Sequence, residues 1–407
     1  KLGARMKRNK LLSFFIFALL VIFPSSSFAD NQDKVIALDD NVESYLIGDE
    51  KSGNIYYEKD ADQPHSMASL SKLMTYLLTK EAIDEGKISL DDKVKISEKA
   101  AEFNSWEYSA LGLKEGQVFT IKELLQGLMV VSGNDCAYQL AVTVDDSEAE
   151  FARNMNMKAS KLGLSSQVYY NASGVQTEDG KENSSSAKDL FKLSRYIIKK
   201  YPEILEYSKV RKIVDPDHDI NVASTIPLVG EIPGVDGLKT GTTDDAGACL
   251  ISTVNMKEID SKDNFRTIGV VMGADQKSTR NSVMSDLIYY VSRYYDSKSI
   301  LDKNVAVDSI KTSTVSQGYI DLYPAKDLDI ILKDGQNPSV KYNIKDDVKA
   351  PIKKGQELGE AIVTYGDEEY KVNLVSHVDL DEASLFSRII RASQDAANFL
   401  LKLVIAR

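Results

Sequence analysis

The chain has 407 residues, 43% of them hydrophobic and 27% charged, enough for a large core and two domains. A net charge of −11 argues against the basic surface that nucleic-acid binding needs. Cys136 and Cys249 are too few for a disulfide framework. Their positions do not say whether they pair, and they are read as two buried thiols.

In chain order, residues 1–29 have the layout of a secretory signal peptide. Lys7, Arg8 and Lys10 form a basic region after Met6, Leu11 to Phe23 is an apolar run broken by Ser13, and Ser27-Phe28-Ala29 supplies small residues before Asp30. The run is short for a membrane span. An uncleaved anchor is the alternative, and either one exports the protein. Residues 42–47 and 54–58 then read as two strands of a hairpin, joined by a turn with Gly48 and Gly53 at its ends.

Residues 70–210 read as mostly helical, with apolar helical spacing over 121–131 and 189–198. Strands return at 248–254 and 267–273, followed by a helix over roughly 278–296. A helical block between N-terminal and C-terminal strands predicts one mixed α/β domain whose sheet draws on both ends of the chain. Residues 301–383 differ in texture, with short strands at 328–332, 360–365 and 370–375 and turns at Asp334-Gly335 and Gly366-Asp367, and read as a small all-β domain.

Over 384–407, Leu385, Phe386, Ile389, Ile390, Ala396, Ala397, Leu400, Leu401 and Val404 fall on one helical stripe. Arg388, Arg391, Lys402 and Arg407 face the single acid Asp395 in charge. This is the pattern of an amphipathic helix at a membrane interface, with cations toward anionic lipid. A helix docked on its own protein or on a partner is the alternative.

The chemistry concentrates in three short motifs. Ser69 and Lys72 lie three residues apart in an otherwise apolar stretch. On a helix such positions are neighbours, ~5–6 Å apart at Cβ. A serine hydroxyl needs a base to become a nucleophile, and a lysine whose pKa is lowered can be that base. By itself Ser-x-x-Lys occurs by chance in chains of this size. Ser132-Gly133-Asn134 closes the apolar helix ending at Val131, and Lys239-Thr240-Gly241 precedes a predicted core strand. The chain has only His65, His218 and His377, no Gly-x-Ser-x-Gly and no His-Glu-x-x-His, so a histidine-based triad and a zincin are poorly supported. His65 reads as a loop residue.

The ordered set Ser69-Leu70-Ser71-Lys72, Ser132-Gly133-Asn134 and Lys239-Thr240-Gly241 resembles that of penicillin-binding proteins and serine β-lactamases. The flanks 67–75 and 235–243 are similar to those of the low-molecular-mass D-alanyl-D-alanine carboxypeptidases. So is the order of parts: signal peptide 1–29, transpeptidase-like domain 30–300, β-rich domain 301–383 and amphipathic helix 384–407. The resemblance covers nearly the whole mature chain. It implies a serine β-lactamase/transpeptidase-like α/β fold and a D,D-carboxypeptidase acting in peptidoglycan biosynthesis on stem peptides ending in D-Ala-D-Ala. It further implies β-lactams as inhibitors, no metal or cofactor, and a place on the outer face of the cytoplasmic membrane.

Carried residue by residue, the resemblance makes Ser69 the nucleophile, Lys72 its base and Ser132 the proton relay. Asn134, Lys239, Thr240, Gly241 and Thr242 bind substrate, and the backbone N–H groups of Ser69 and Thr242 form the oxyanion hole. It also leads us to expect that Lys239 depresses the pKa of Lys72 by like-charge repulsion. Related carboxypeptidases place a carboxylate-binding arginine after a Met-Gly-Gly strand end. Here the strand ends Met272-Gly273-Ala274-Asp275 and the next arginine is Arg280. Asn171-Ala172-Ser173-Gly174-Val175 resembles the family's Asn-x-x-Gly-Leu loop and reads as packing near the cleft. The alternatives are a β-lactamase of the same superfamily and a non-catalytic penicillin-binding sensor.

Overall fold

The computed structural model describes residues 36–105, 107–261 and 264–405; the signal-peptide reading of 1–29 lies outside them. The hairpin forms from β1 (Ser44–Asp49) and β2 (Ile55–Lys59). Its turn needs glycine at 53, where φ is +89°, and Arg195 donates to the carbonyls of Glu50 and Lys51 at 2.7 and 2.9 Å. Three later strands, β3 (Val235–Thr243), β4 (Gly247–Asn255) and β5 (Arg266–Ala274), complete an antiparallel sheet in the order β2-β1-β5-β4-β3. The expected joining of the two ends of the chain is the β1–β5 pairing, with Ile47 opposite Gly269.

Helices α1 (Lys72–Asp84), α2 (Ile121–Val130), α3 (Asn134–Val144) and α4 (Ala187–Lys200) lie between β2 and β3 in sequence, and α5 (Lys277–Tyr294) follows β5. Helix α2 starts at a capping box in which Thr120 and Glu123 satisfy each other's backbone N–H groups. Helix α1 is buried nearly all round, which is why its apolar residues follow no single stripe. The sheet is covered on both faces. A Cβ at Gly269 would meet Met284 of α5, whereas one at Gly48 would meet Phe191 of α4. Gly48 and Ile47 are adjacent on one strand, so they point to opposite faces.

Two ribbons interrupt the region read as helical: Pro64–Ser66 pairs with Ser184–Ser186, and Lys93–Lys95 with Val118–Thr120. Three-residue strands are too short to show a period of two. The first of them takes His65 out of the loop expected for it.

Helix α5 ends where Tyr295 enters β6 (Tyr295–Leu301). The strands after it are β7 (Asp308–Lys311), β8 (Tyr319–Pro324), β9 (Leu328–Lys333), β10 (Ser339–Ile344), β11 (Glu357–Tyr365) and β12 (Glu368–Val375). They form a β6-β9 ribbon and a sheet in the order β7-β8-β12-β11-β10 around their own core, including Leu322, Val363 and Leu374. This all-β part meets the first at Tyr295, whose ring centroid lies 4.3 Å from that of Tyr56. The chain ends in α6 (Leu385–Ile405).

Both faces of the main sheet depend on close approach at glycine. A Cβ at Gly48 would sit 2.6 Å from the Asn54 carbonyl oxygen and 2.8 Å from the Phe191 ring. Gly48→Ala is therefore expected to lower unfolding free energy by about 1–3 kcal/mol, the usual cost of overpacking. A urea titration measures it, and an unchanged midpoint would show that sheet and α4 separate freely.

Candidate active site

Ser69 sits in a 3-10 turn, Ala68–Ser71, and Lys72 opens α1 behind it. The sequence places both on one α-helix. In the 3-10 turn the i and i+3 side chains are more nearly eclipsed, so the pair is held closer. The turn is tied down from several sides. Ser71 Oγ donates to the Ala68 carbonyl at 2.7 Å, Asn183 Nδ2 donates to Ser71 Oγ at 3.0 Å, and Met67 N–H donates to the Asn183 carbonyl at 3.0 Å. Ala68 has φ +46°, a left-handed conformation that costs a non-glycine residue roughly 1–3 kcal/mol and persists only where the surroundings impose it.

Lys72 is fully buried, and its Nζ has three oxygen partners. They are Ser69 Oγ at 2.7 Å, Asn134 Oδ1 at 2.6 Å and the Ser173 carbonyl at 2.7 Å. The last two can only accept. A neutral amine has two N–H bonds and one lone pair, so it satisfies both acceptors and presents the lone pair to the Ser69 hydroxyl, the one partner able to donate. Burial lowers the Lys72 pKa to about 7, against the opposing pull of the nearby Asp135 carboxylate.

The expected like-charge repulsion falls elsewhere. Lys239 is held well below the ordinary lysine range, first by burial and then by Lys72 and Arg280. At Lys72 itself, desolvation does the work.

Ser132 lies between α2 and α3, in the left-handed region at φ +62°, and Gly133 caps α3. This bend brings Ser132 Oγ within 2.7 Å of Lys239 Nζ, which also donates to the Thr240 carbonyl at 2.8 Å. The Lys239-Thr240-Gly241 motif is itself part of β3 rather than a lead into a strand. At the edge of the sheet, β3 has one row of backbone groups without a neighbouring strand. Gly241 allows β3 to run beside Ser69, since a Cβ there would lie 2.9 Å from the Met67 carbonyl oxygen and 3.2 Å from Ser69 N.

Ser69, Ser132, Thr240, Gly241 and Thr242 line one cleft of about 200 Å³, with Lys72 and Asn134 buried beneath it. All eight sequence-predicted positions thus converge, Lys239 through Ser132. Ser109, Thr225 and Lys277 also line the cleft and were missed, since isolated serine, threonine and lysine residues carry no motif. Arg280 lines it too, 4% exposed, one helical turn into α5. The 171–175 loop does more than pack. Ser173 gives Lys72 a carbonyl, and Gly174, at φ +84°, passes so close to the Ala68 carbonyl that a Cβ would overlap it. Both cysteines are buried free thiols.

Residues 31–276 match the family model described as D-alanyl-D-alanine carboxypeptidase, and residues 295–382 that of the penicillin-binding protein 5 C-terminal domain. D-alanyl-D-alanine carboxypeptidase DacF of Bacillus subtilis is 32% identical over 96% of this chain and 100% of its own length. Penicillin-binding protein 3 of Streptococcus pneumoniae superposes with a TM-score of 0.69 at 26% identity, over 84% of this chain and 99% of that one. Penicillin-binding protein D2 of Listeria monocytogenes, in a cefotaxime-bound form, does so with a TM-score of 0.54 at 32% identity, over 61% and 96%. The chain belongs to the D-alanyl-D-alanine carboxypeptidase family and is a low-molecular-mass penicillin-binding protein, a serine-type D,D-carboxypeptidase.

Proposed function

We propose that Ser69 is the nucleophile by which this carboxypeptidase removes the terminal D-alanine from peptidoglycan stem peptides. The observation that carries the assignment is the 2.7 Å contact of Ser69 Oγ with Lys72 Nζ, an amine buried against two obligate acceptors. Lys72 takes the hydroxyl proton as the Ser69 oxygen attacks the carbonyl between the two D-alanines. The developing oxyanion is received by the N–H groups of Ser69 and Thr242, where each donor contributes roughly 3–4 kcal/mol. Ser132, hydrogen-bonded to Lys239, passes a proton to the leaving amine. Asn134 and the edge of β3 hold the peptide, and Lys239, Thr240, Thr242 and Arg280 face its carboxylate. Water then hydrolyses the Ser69 ester.

β-Lactams fit the same path as slowly released acyl donors, a reading supported by the ampicillin- and cefotaxime-bound forms of the Listeria protein. The proposed divisions are a leader over 1–29, a catalytic domain over 30–300, a β domain over 301–383 and an anchoring helix over 384–407. Export to the outer face of the cytoplasmic membrane follows from that leader and from a substrate in the cell wall, which ties the enzyme to cell shape. Among the described residues no helix is long and apolar enough to cross a membrane. Helix α6 instead exposes Leu385, Phe386, Ile389 and Ile390 along its first turns, at 78, 74, 64 and 41%. We assign this face to the lipid interface. Arg391 is not free for lipid as its spacing implied, because its guanidinium donates to the Val315 and Ser316 carbonyls at 2.7 and 2.6 Å.

Free D-alanine released from a peptide ending in D-Ala-D-Ala is expected to vanish with Ser69→Ala, while penicillin is turned over slowly by the parent. Rapid penicillin hydrolysis without D-alanine release would instead make the protein a β-lactamase. Acylation by penicillin should rise with pH through about 7, because only the deprotonated Lys72 can accept a proton and burial lowers its pKa to that value. A flat profile would remove Lys72 from the role of base. Lys239→Ala is expected to slow acylation about a hundred-fold, the scale of a lost charge-stabilising donor, and to raise KM for the peptide. Normal acylation in that variant would refute its assignment. Phe386→Glu with Ile389→Glu should abolish sedimentation with anionic vesicles and leave D-alanine release intact; retained sedimentation would refute the anchor.

A further inference from the structure

Asp135 has no place in the steps above, yet it is fully buried beside them. Its carboxylate accepts four backbone N–H groups. Oδ1 takes those of Leu111 at 3.1 Å and Cys136 at 2.8 Å; Oδ2 takes those of Gly112 at 3.0 Å and Leu113 at 3.1 Å. Three successive N–H groups of one loop thus converge on a single anion, as in an anion-binding nest. The chain can fold round the carboxylate because Gly112 adopts φ +100°. The other end of the loop is held by Asn134 N–H, which donates to the Ser109 carbonyl at 2.8 Å. Gly133 leaves room for the arrangement, since a Cβ there would lie 2.6 Å from Asp135 Oδ1.

This clamp joins two parts of the site. Ser109, at one end of the loop, lines the cleft, and Asn134, next to Asp135, holds Lys72. We infer that Asp135 is a positioning residue, whose carboxylate locks the 109–113 rim of the cleft to the first turn of α3 and so holds Asn134 and Lys72 in register with Ser69. The inference rests on Lys72 being the base. It carries a second consequence through charge. The groups acting on Lys72 are Asp135 and Cys136 from α3, and those acting on Lys239 are Lys72 and, from α5, Arg280. Cys136 stays a neutral thiol, pushed up by burial. Asp135 is the anion that favours protonated Lys72 and offsets part of its desolvation. Removing that charge lets Lys72 lose its proton at lower pH.

The test is the rate of acylation by a fluorescent penicillin over a pH series, in the full chain and two variants. Asp135→Asn is expected to move the acid limb of the profile down by about one pH unit, the effect of deleting one nearby opposite charge, and to lower the plateau. Gly112→Ala keeps the charge, and its added Cβ meets nothing within 4 Å, so it strains only the loop backbone. It should lower the plateau several-fold without moving the limb. A limb unmoved in Asp135→Asn, or parental rates in Gly112→Ala, would overturn the inference. Should Asp135→Asn fail to fold, the Gly112→Ala rate decides it. A parent chain that penicillin does not acylate would refute the Ser69–Lys72 assignment instead, which separates the two failures.

Discussion

The site depends on keeping one amine out of water and still fully hydrogen-bonded. An ammonium in a protein interior is costly, and it either finds a counter-charge or gives up its proton. Lys72 has no carboxylate among its three close partners, only a hydroxyl, an amide oxygen and a backbone carbonyl. That set satisfies a neutral amine without residue. The same desolvation that lowers the pKa also fixes where the lone pair points, so basicity and aim come from one arrangement. The partners come from three separate places: the turn holding Ser69, the start of α3, and the 171–175 loop.

Holding those places together requires backbone geometry that most residues resist. Ala68 and Ser132 are both left-handed, on either side of the cleft. Gly174 and Gly241 lie against the same turn, one under the Ala68 carbonyl and one beside Ser69 N. Strain of this kind persists only where the surroundings over-determine it. Here the surroundings are α1, buried on nearly every side, and the edge strand β3. A rigid frame lets Ser69, Ser132 and Lys239 keep hydrogen-bond distances while remaining bordered by an open cleft.

The β-rich part shares none of this chemistry. It has a separate apolar core and meets the first part through tyrosines such as Tyr56 and Tyr295. It holds α6 through Arg391, while Leu385, Phe386, Ile389 and Ile390 of that helix stay in solvent. In the proposed arrangement it is a spacer that sets the height of the cleft above a lipid surface.

Much of this was legible in the residues alone. The Ser-x-x-Lys, Ser-x-Asn and Lys-Thr-Gly motifs named groups that the fold brings to one cleft, because each sets particular functional atoms at short spacing and short spacing survives folding. Continuous apolar runs located β4 and β5, which are buried on both faces, and helical spacing located α2 and α4, whose period records the buried face. Ser109, Thr225 and Lys277 could not be found this way; each owes its place in the cleft to a fold that joins distant segments. Nor could the source of the Lys72 shift be read. Repulsion from Lys239 was the natural expectation from two lysines in one site, but burial dominates, and burial is a property of everything packed around the amine. The sequence by itself determined the motif residues and the family; only the tertiary structure decided the protonation balance, the strained turns and the rim of the cleft, because each arises from contacts between residues far apart in the chain.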